Sequence, residues 1–213
     1  VGGRGEVETI AKQLLATDIE VVVGGGRDAC KDTDGWQCAD SADALTKADL
    51  SQGKVLALLT KATPEQDKAE VRIDVSELTR AAIEKLSAAP NGFFLLVEGA
   101  CIDKAAHGNK AQVVLDEMAD FDEAIGEALA FAEKDQNTLV VVTADHETGA
   151  VSLPVIDEKD GVKKVQINFA SGNHTGVMVP VMAAGVGAPQ FKGFLDNTDI
   201  AKIIGNLMEP EAK

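Results

Sequence analysis

Three histidines, and the carboxylates beside them, hold most of the chemistry that this sequence offers. His107 follows Asp103 by four residues in "ACIDKAAH". On a helix that spacing puts a carboxylate and an imidazole on one face, where both can grip one ion. "LVVVTADHET" carries an apolar run into the adjacent pair Asp145 and His146, and "SGNHTGV" sets His174 among glycines. Glu98 ends another apolar run, "FFLLVEG". Imidazole with aspartate suits Zn²⁺, whereas glutamate with water suits Mg²⁺. Each fragment alone has an ordinary reading. An isolated Asp-x-x-x-His is commonly a surface pair, and a single loop histidine needs no ligand. Jointly the pattern is harder to dismiss. All three histidines fall beside acids or glycines near the ends of apolar runs, and none is left over for another role.

The elements that must place these residues alternate between two periodicities. Val7, Ile10, Ala11 and Leu14 fall at helical spacing, and "IEVVV" at residues 19–23 then reads as a buried strand. "KVLALLT" reads as another strand. Ser76 is placed to cap a helix whose apolar face carries Leu78, Ala82 and Leu86, and residues 93–99 follow as a strand. From about Lys110 to Lys134, the residues Val114, Met118, Phe121, Ile125, Ala128 and Ala132 form one stripe of a long helix. "NTLVVVTA" is the next strand. The polar residues 157–164 read as a surface excursion, and "VMVPVMAAG" as a further strand that Pro180 confines to an edge or bulge. Thr198 is placed to cap a last helix carrying Ile200, Ile203, Ile204 and Leu207. Apolar strands alternating with helices predict an α/β fold with a mostly parallel, doubly wound sheet and helices on both faces. In such sheets, sites collect at the carboxyl ends of strands. One domain is the economical reading.

Composition narrows the function. The chain has 213 residues, enough for a sizeable core, yet only 4% are aromatic and none is Tyr, so small and aliphatic side chains must do the packing. A net charge of −15 without a Lys/Arg cluster argues against nucleic acid and against anionic membrane surfaces. An acidic protein still binds phosphate esters where bound cations invert the local field. No apolar run approaches the roughly 18 residues of a membrane span. The opening, without an initiator Met or a signal peptide, leads to the expectation of a piece of a longer protein. Cys30 and Cys38 lie eight apart in a polar stretch, either as a loop-closing disulfide or as two free thiols. Cys101 reads as a small core residue.

In this order, "FFLLVEGACIDKAAH", "NTLVVVTADHE" and "HTG" resemble the alkaline phosphatase family. The segments "GGRGEVETIAKQLL", "VVVGGGR" and "KVLALLT" extend the resemblance over essentially the whole chain. Cofactor-independent phosphoglycerate mutases, phosphopentomutases, sulfatases and nucleotide pyrophosphatases share parts of the metal pattern. The resemblance implies that Asp103, His107 and His174 hold one zinc, Asp145 and His146 a second zinc, and Glu98 a magnesium. Lys104 matches a position that in some members contacts phosphate through water, and Thr148 falls where certain members carry another histidine. The implied activity is hydrolysis of phosphate monoesters with two ions about 4 Å apart. In the family a serine attacks phosphorus and water then hydrolyses the phosphoserine.

The resemblance also implies what else to expect. The family's serine sits in an Asp-Ser-Ala motif upstream of everything here, with a metal-bridging aspartate, a threonine for magnesium and an arginine that clamps phosphate. Ser41 in "ADSADAL" imitates that motif, but it follows the "VVVGGGR" strand and reads as a helix N-cap. Arg4 and Arg27 are out of register for the clamp. The expectation is therefore a truncated alkaline phosphatase-like fold. Residues 1–213 would be a single C-terminal portion, with a short surface insertion at about residues 150–172. Alone it would be inactive, and it would need the N-terminal half of the same protein. A homodimer, a periplasmic or secreted location and a Cys30–Cys38 disulfide belong to the same expectation. Two other readings stay open: a non-catalytic zinc-binding domain and part of a related metal-dependent phosphomutase. Histidine and aspartate ligands with an open position favour catalysis over a closed structural site.

Overall fold

The computed structural model describes residues 3, 6–25, 35–60 and 74–208. It divides into two compact units, Val1–Leu96 and Val97–Lys213.

The first unit contains helix α1 (Val7–Leu15), strands β1 (Val21–Gly25) and β2 (Trp36–Ala39), and helix α2 (Ala42–Lys47). Strand β3 (Lys54–Thr60) and helix α3 (Val75–Leu86) follow. The strands form one sheet in the order β1-β3-β2, and both pairings are parallel. Central β3 is apolar without alternation because both its faces are covered: Val55, Leu56, Ala57 and Leu58 are all buried. Leu45 of α2 and Ala81 of α3 pack on Val55 and Ala57. The core is built of small aliphatic side chains, as the scarcity of aromatics requires.

Two caps bear on the sequence reading. Ser41 is the N-cap of α2, its Oγ accepting the Ala44 amide at 3.2 Å. Helix α3 is capped by Asp74 instead of Ser76: Asp74 Oδ1 accepts the Glu77 amide at 3.0 Å and the Ser76 hydroxyl at 2.7 Å. Asp74 has extended backbone and Ser76 is already helical, and only the residue just outside the helix can cap it. Cys30, Arg4 and Arg27 lie outside the described residues.

Residues 93–99 run from the end of the first unit into the start of the second. Their exposure alternates as in a strand, yet they join no ladder among the described residues. The expectation of a strand there met the side-chain pattern but not the pairing, because a strand needs a partner as well as a period. Helix α4 (Ala100–His107) and the 25-residue helix α5 (Ala111–Asp135) pack together and lead into β4 (Leu139–Thr143). Two-residue strands β5 (Glu147–Thr148) and β6 (Val151–Ser152) follow, then the hairpin β7 (Val155–Lys159) and β8 (Val162–Val165). Every residue of that hairpin is exposed, in agreement with a surface excursion. Strands β9 (Asn168–Phe169), β10 (His174–Thr175) and β11 (Val181–Gly185) and helix α6 (Asn197–Met208) complete the unit.

β11 begins only after Pro180 and pairs antiparallel with β4, from Val181 opposite Thr143 to Gly185 opposite Leu139. The parallel rule thus holds in the three-stranded sheet and not here. The cap of α6 is Asp196, whose Oδ1 accepts the Thr198 amide at 2.9 Å and its hydroxyl at 2.8 Å, while Asp199 reaches back to the Asp196 amide. Thr198, expected as the cap, is inside the helix. Among the described residues, no helix is long and apolar enough to cross a membrane.

Candidate metal centre

Local structure delivers the ligand-type side chains in three groups. Asp103 and His107 project from α4 one turn apart, while Ala105 and Ala106 turn the buried face of that helix inward. Asp145 and His146 stand where β4 ends. His174 begins β10, and because β11 runs back along β4, the segment before β11 lies at the carboxyl end of β4. The antiparallel return is therefore what brings His174 to the Asp145–His146 pair. β10 also pairs with β5, which sets His174 opposite Thr148 and Thr175 opposite Glu147.

Asp103, His107 and His174 form a tight triangle. Asp103 Oδ1 lies 3.4 Å from His107 Nε2 and 3.4 Å from His174 Nε2, and the two Nε2 atoms are 3.1 Å apart. Asp145 Oδ2 lies 3.2 Å from His146 Nε2, and the His146 ring stacks on His174 with centroids 3.5 Å apart. Asp103, His146 and His174 also offer ligand atoms that all lie within 4.8 Å of one another. His146 is thus shared ground between the two groups. Asp145 is the outermost member, at 86% side-chain exposure against 26% for His146.

Hydrogen bonds to the backbone and to hydroxyls orient these groups. His107 Nδ1 donates to the Gly172 carbonyl at 2.7 Å, which leaves Nε2 facing the cluster. The Thr148 hydroxyl lies 2.6 Å from Asp103 Oδ1 and 3.2 Å from His146 Nδ1. Burial opposes ionisation of Asp103, but the Thr148 hydroxyl and then the charges of His107, His174 and His146 outweigh it and hold the carboxyl below its usual range. Glu147 accepts the Thr175 hydroxyl, the Val151 amide at 3.0 Å and the Ala150 amide at 3.2 Å. The Thr175 and Val151 bonds lead in lowering its pKa.

Among the described residues, the groups that converge are Asp103, His107, Asp145, His146 and His174. Glu98 is exposed just before the α4 cap and is not one of them, and Lys104 follows Asp103 half-buried. Glu147, Thr148 and the Gly172 carbonyl take part in orienting the cluster although the ligand pattern does not single them out. In "HET" the two-residue period of a strand puts His146 and Thr148 on one face, a signal that was there to use. Nothing in the sequence marks a carbonyl acceptor.

The chain matches the model of the alkaline phosphatase family over residues 31–162. It is 29% identical over 269 residues to alkaline phosphatase 4 of Bacillus subtilis (strain 168), an alignment taking in 90% of this chain and 58% of that protein. It is 39% identical over 149 residues to the streptomycin-6-phosphate phosphatase of Streptomyces griseus, covering 60% of this chain and 33% of that one. The alkaline phosphatase from the Antarctic bacterium TAB5 superposes with a TM-score of 0.79 at 30% identity, over 97% of this chain and 65% of that structure. A variant of the TAB5 enzyme with Mg bound in its M3 site superposes at 0.80 and 32% identity. This chain spans less than two thirds of the length of these relatives. The likeness to solved alkaline phosphatases, the family match and the histidine–aspartate cluster converge on one assignment: the chain belongs to the alkaline phosphatase family.

Proposed function

We propose that this chain is the metal-binding C-terminal portion of an alkaline phosphatase that hydrolyses phosphate monoesters. The observation that carries the reading is the Asp103–His107–His174 triangle. Zinc bonds of about 2.0–2.2 Å at tetrahedral angles require ligand atoms about 3.3 Å apart. The three edges here are 3.4, 3.4 and 3.1 Å. The donor set is nitrogen and oxygen without cysteine, and its half-exposed side leaves a position open for substrate, as catalytic zinc sites do. In this reading Asp103, His107 and His174 hold one zinc, Asp145 and His146 contribute to a second, and Glu98 offers a carboxylate to magnesium. Bound zinc supplies positive charge where the attacking and leaving oxygens of an in-line displacement develop theirs.

The chain's own residues hold that charge in place. His107 is fixed by the Gly172 carbonyl, and Asp103 stays ionised as a ligand because its carboxyl is held below its usual range. Streptomycin 6-phosphate, named in one relative, is a phosphate monoester and supports that substrate class. Among the described residues, no Asp-Ser-Ala serine stands at the cluster. Ser41, the one serine in an Asp-Ser-Ala string, has its oxygen engaged as a helix cap. The reading therefore includes an N-terminal portion of the same protein that brings the nucleophile, a homodimeric assembly and a periplasmic or secreted location.

The test is an aryl phosphate assay at alkaline pH with zinc and magnesium. Turnover is expected from the full-length protein, lost on chelation and in His107→Ala, and absent from residues 1–213 alone. Robust turnover by residues 1–213 alone, abolished by Ser41→Ala, overturns the division of labour. Zinc binding unchanged in Asp103→Asn, His107→Ala and His174→Ala overturns the site.

A further inference from the structure

We propose that Thr148 is a positioning residue whose hydroxyl sets the carboxylate of Asp103 and the tautomer of His146 together. The inference rests on the zinc reading above and goes beyond it. Thr148 and Thr79 are the buried polar side chains among the described residues. Thr79 bonds only back along its own helix, to the Val75 carbonyl. Thr148 instead faces two metal-type ligands from separate elements, Asp103 of α4 at 2.6 Å and His146 at 3.2 Å. Its backbone lies opposite a third, His174, in the β5–β10 pairing.

Proton counting fixes the direction of both bonds. A threonine hydroxyl has one proton to give and lone pairs to accept with. An ionised carboxylate only accepts, so the proton goes to Asp103 Oδ1. Toward His146 the hydroxyl can then only accept, and Nδ1 must carry the hydrogen. The neutral ring then keeps its lone pair on Nε2, so the exposed Asp145 carboxylate, 3.2 Å from that atom, has to turn away from it or share an ion with it. His107 reaches the same tautomer by another route, through the Gly172 carbonyl. One hydroxyl therefore links a ligand of the first proposed site to a ligand of the second. Replacing the outer partners of metal ligands typically lowers metal affinity about 10- to 100-fold.

The experiment combines a metal-free readout with a zinc readout on the full-length protein. ¹⁵N-histidine spectra of the metal-free protein, assigned through His146→Gln, should show His146 as a single Nδ1–H tautomer at alkaline pH. Thr148→Val should mix the tautomers and weaken zinc about 10- to 100-fold in a chelator competition, and Thr148→Ser should restore both. An Nε2–H or mixed His146 in the unaltered protein overturns the inference. So does Thr148→Val with unchanged zinc affinity. If the unaltered protein binds no zinc, the zinc reading falls, and the tautomer in the unaltered and Thr148→Ser proteins alone decides the role of Thr148. The same two proteins decide it if Thr148→Val does not fold.

Discussion

Gly149→Ala tests how the loop before His174 is held. Gly149 sits at φ +100°, a conformation that a side chain disfavours. Its backbone brackets the loop: its amide donates to the Asn173 carbonyl at 3.0 Å, and its carbonyl accepts the Ala170 and Ser171 amides, both at 3.0 Å. An added Cβ would lie 2.7 Å from the Phe169 ring and 3.4 Å from Val151. Holding a side chain at such a φ costs about 1–3 kcal/mol. Overpacking against Phe169 adds about 1–3 kcal/mol unless the ring swings away. The floor is the backbone term, because no rotation of Phe169 relieves it. If the backbone instead relaxes, the three bracket bonds are lost and His174 leaves the triangle. Either way the metal-free protein should melt several degrees lower, and relaxation should also weaken zinc at least tenfold. The assays are thermal unfolding and zinc competition on Gly149→Ala, Phe169→Ala and the double variant. The cycle isolates the ring overlap, since Phe169→Ala removes the clash and leaves φ unchanged. A Gly149→Ala protein that melts and binds zinc like its parent would refute the reasoning.

Other expectations follow from single contacts. Ser41→Ala should cost about 1 kcal/mol of stability, the usual worth of a serine cap, and leave phosphatase turnover of the full-length protein unchanged; a large loss of turnover would make Ser41 more than a cap. Glu147 titrates below its unfolded value in the fold, so its contribution is present above the ordinary glutamate range and is lost as pH falls through the folded value. Urea unfolding of the metal-free protein should therefore show Glu147→Gln weaker at neutral pH and equal to the parent in strong acid, and a gap independent of pH would count against the clamp. Protein secreted to an oxidising compartment should resist alkylation at Cys30 and Cys38 without reductant, and intact mass showing both alkylated would refute that bond.

Local physics made much of this protein legible. Four-residue spacing places Asp103 and His107 on one face of α4 whatever surrounds the helix, because helical geometry alone sets it. The apolar stripe of α5 predicted a helix from about Lys110 to Lys134, and the helix runs Ala111–Asp135. β4 ends before Asp145 and His146 because an apolar strand gives way to groups that need water or an ion. The family pattern then extended these local readings to a set of ligands.

Tertiary structure decided what local spacing does not encode. Strand direction is one such feature: an apolar run reads the same in either direction, so the parallel expectation covered β1, β3 and β2 and failed for β4 and β11. That one antiparallel return carries His174 to partners 28 and 29 residues back in the sequence. Pairing is another, since residues 93–99 have a strand's alternation and no ladder among the described residues. Caps belong here too. Asp74 and Ser76, like Asp196 and Thr198, are both capping types, and only the backbone conformation chooses between them. Thr148 shows the limit most plainly. Its hydroxyl meets Asp103 across 45 residues of chain, a contact made by the packing of α4 against β5 and by no property of the threonine itself.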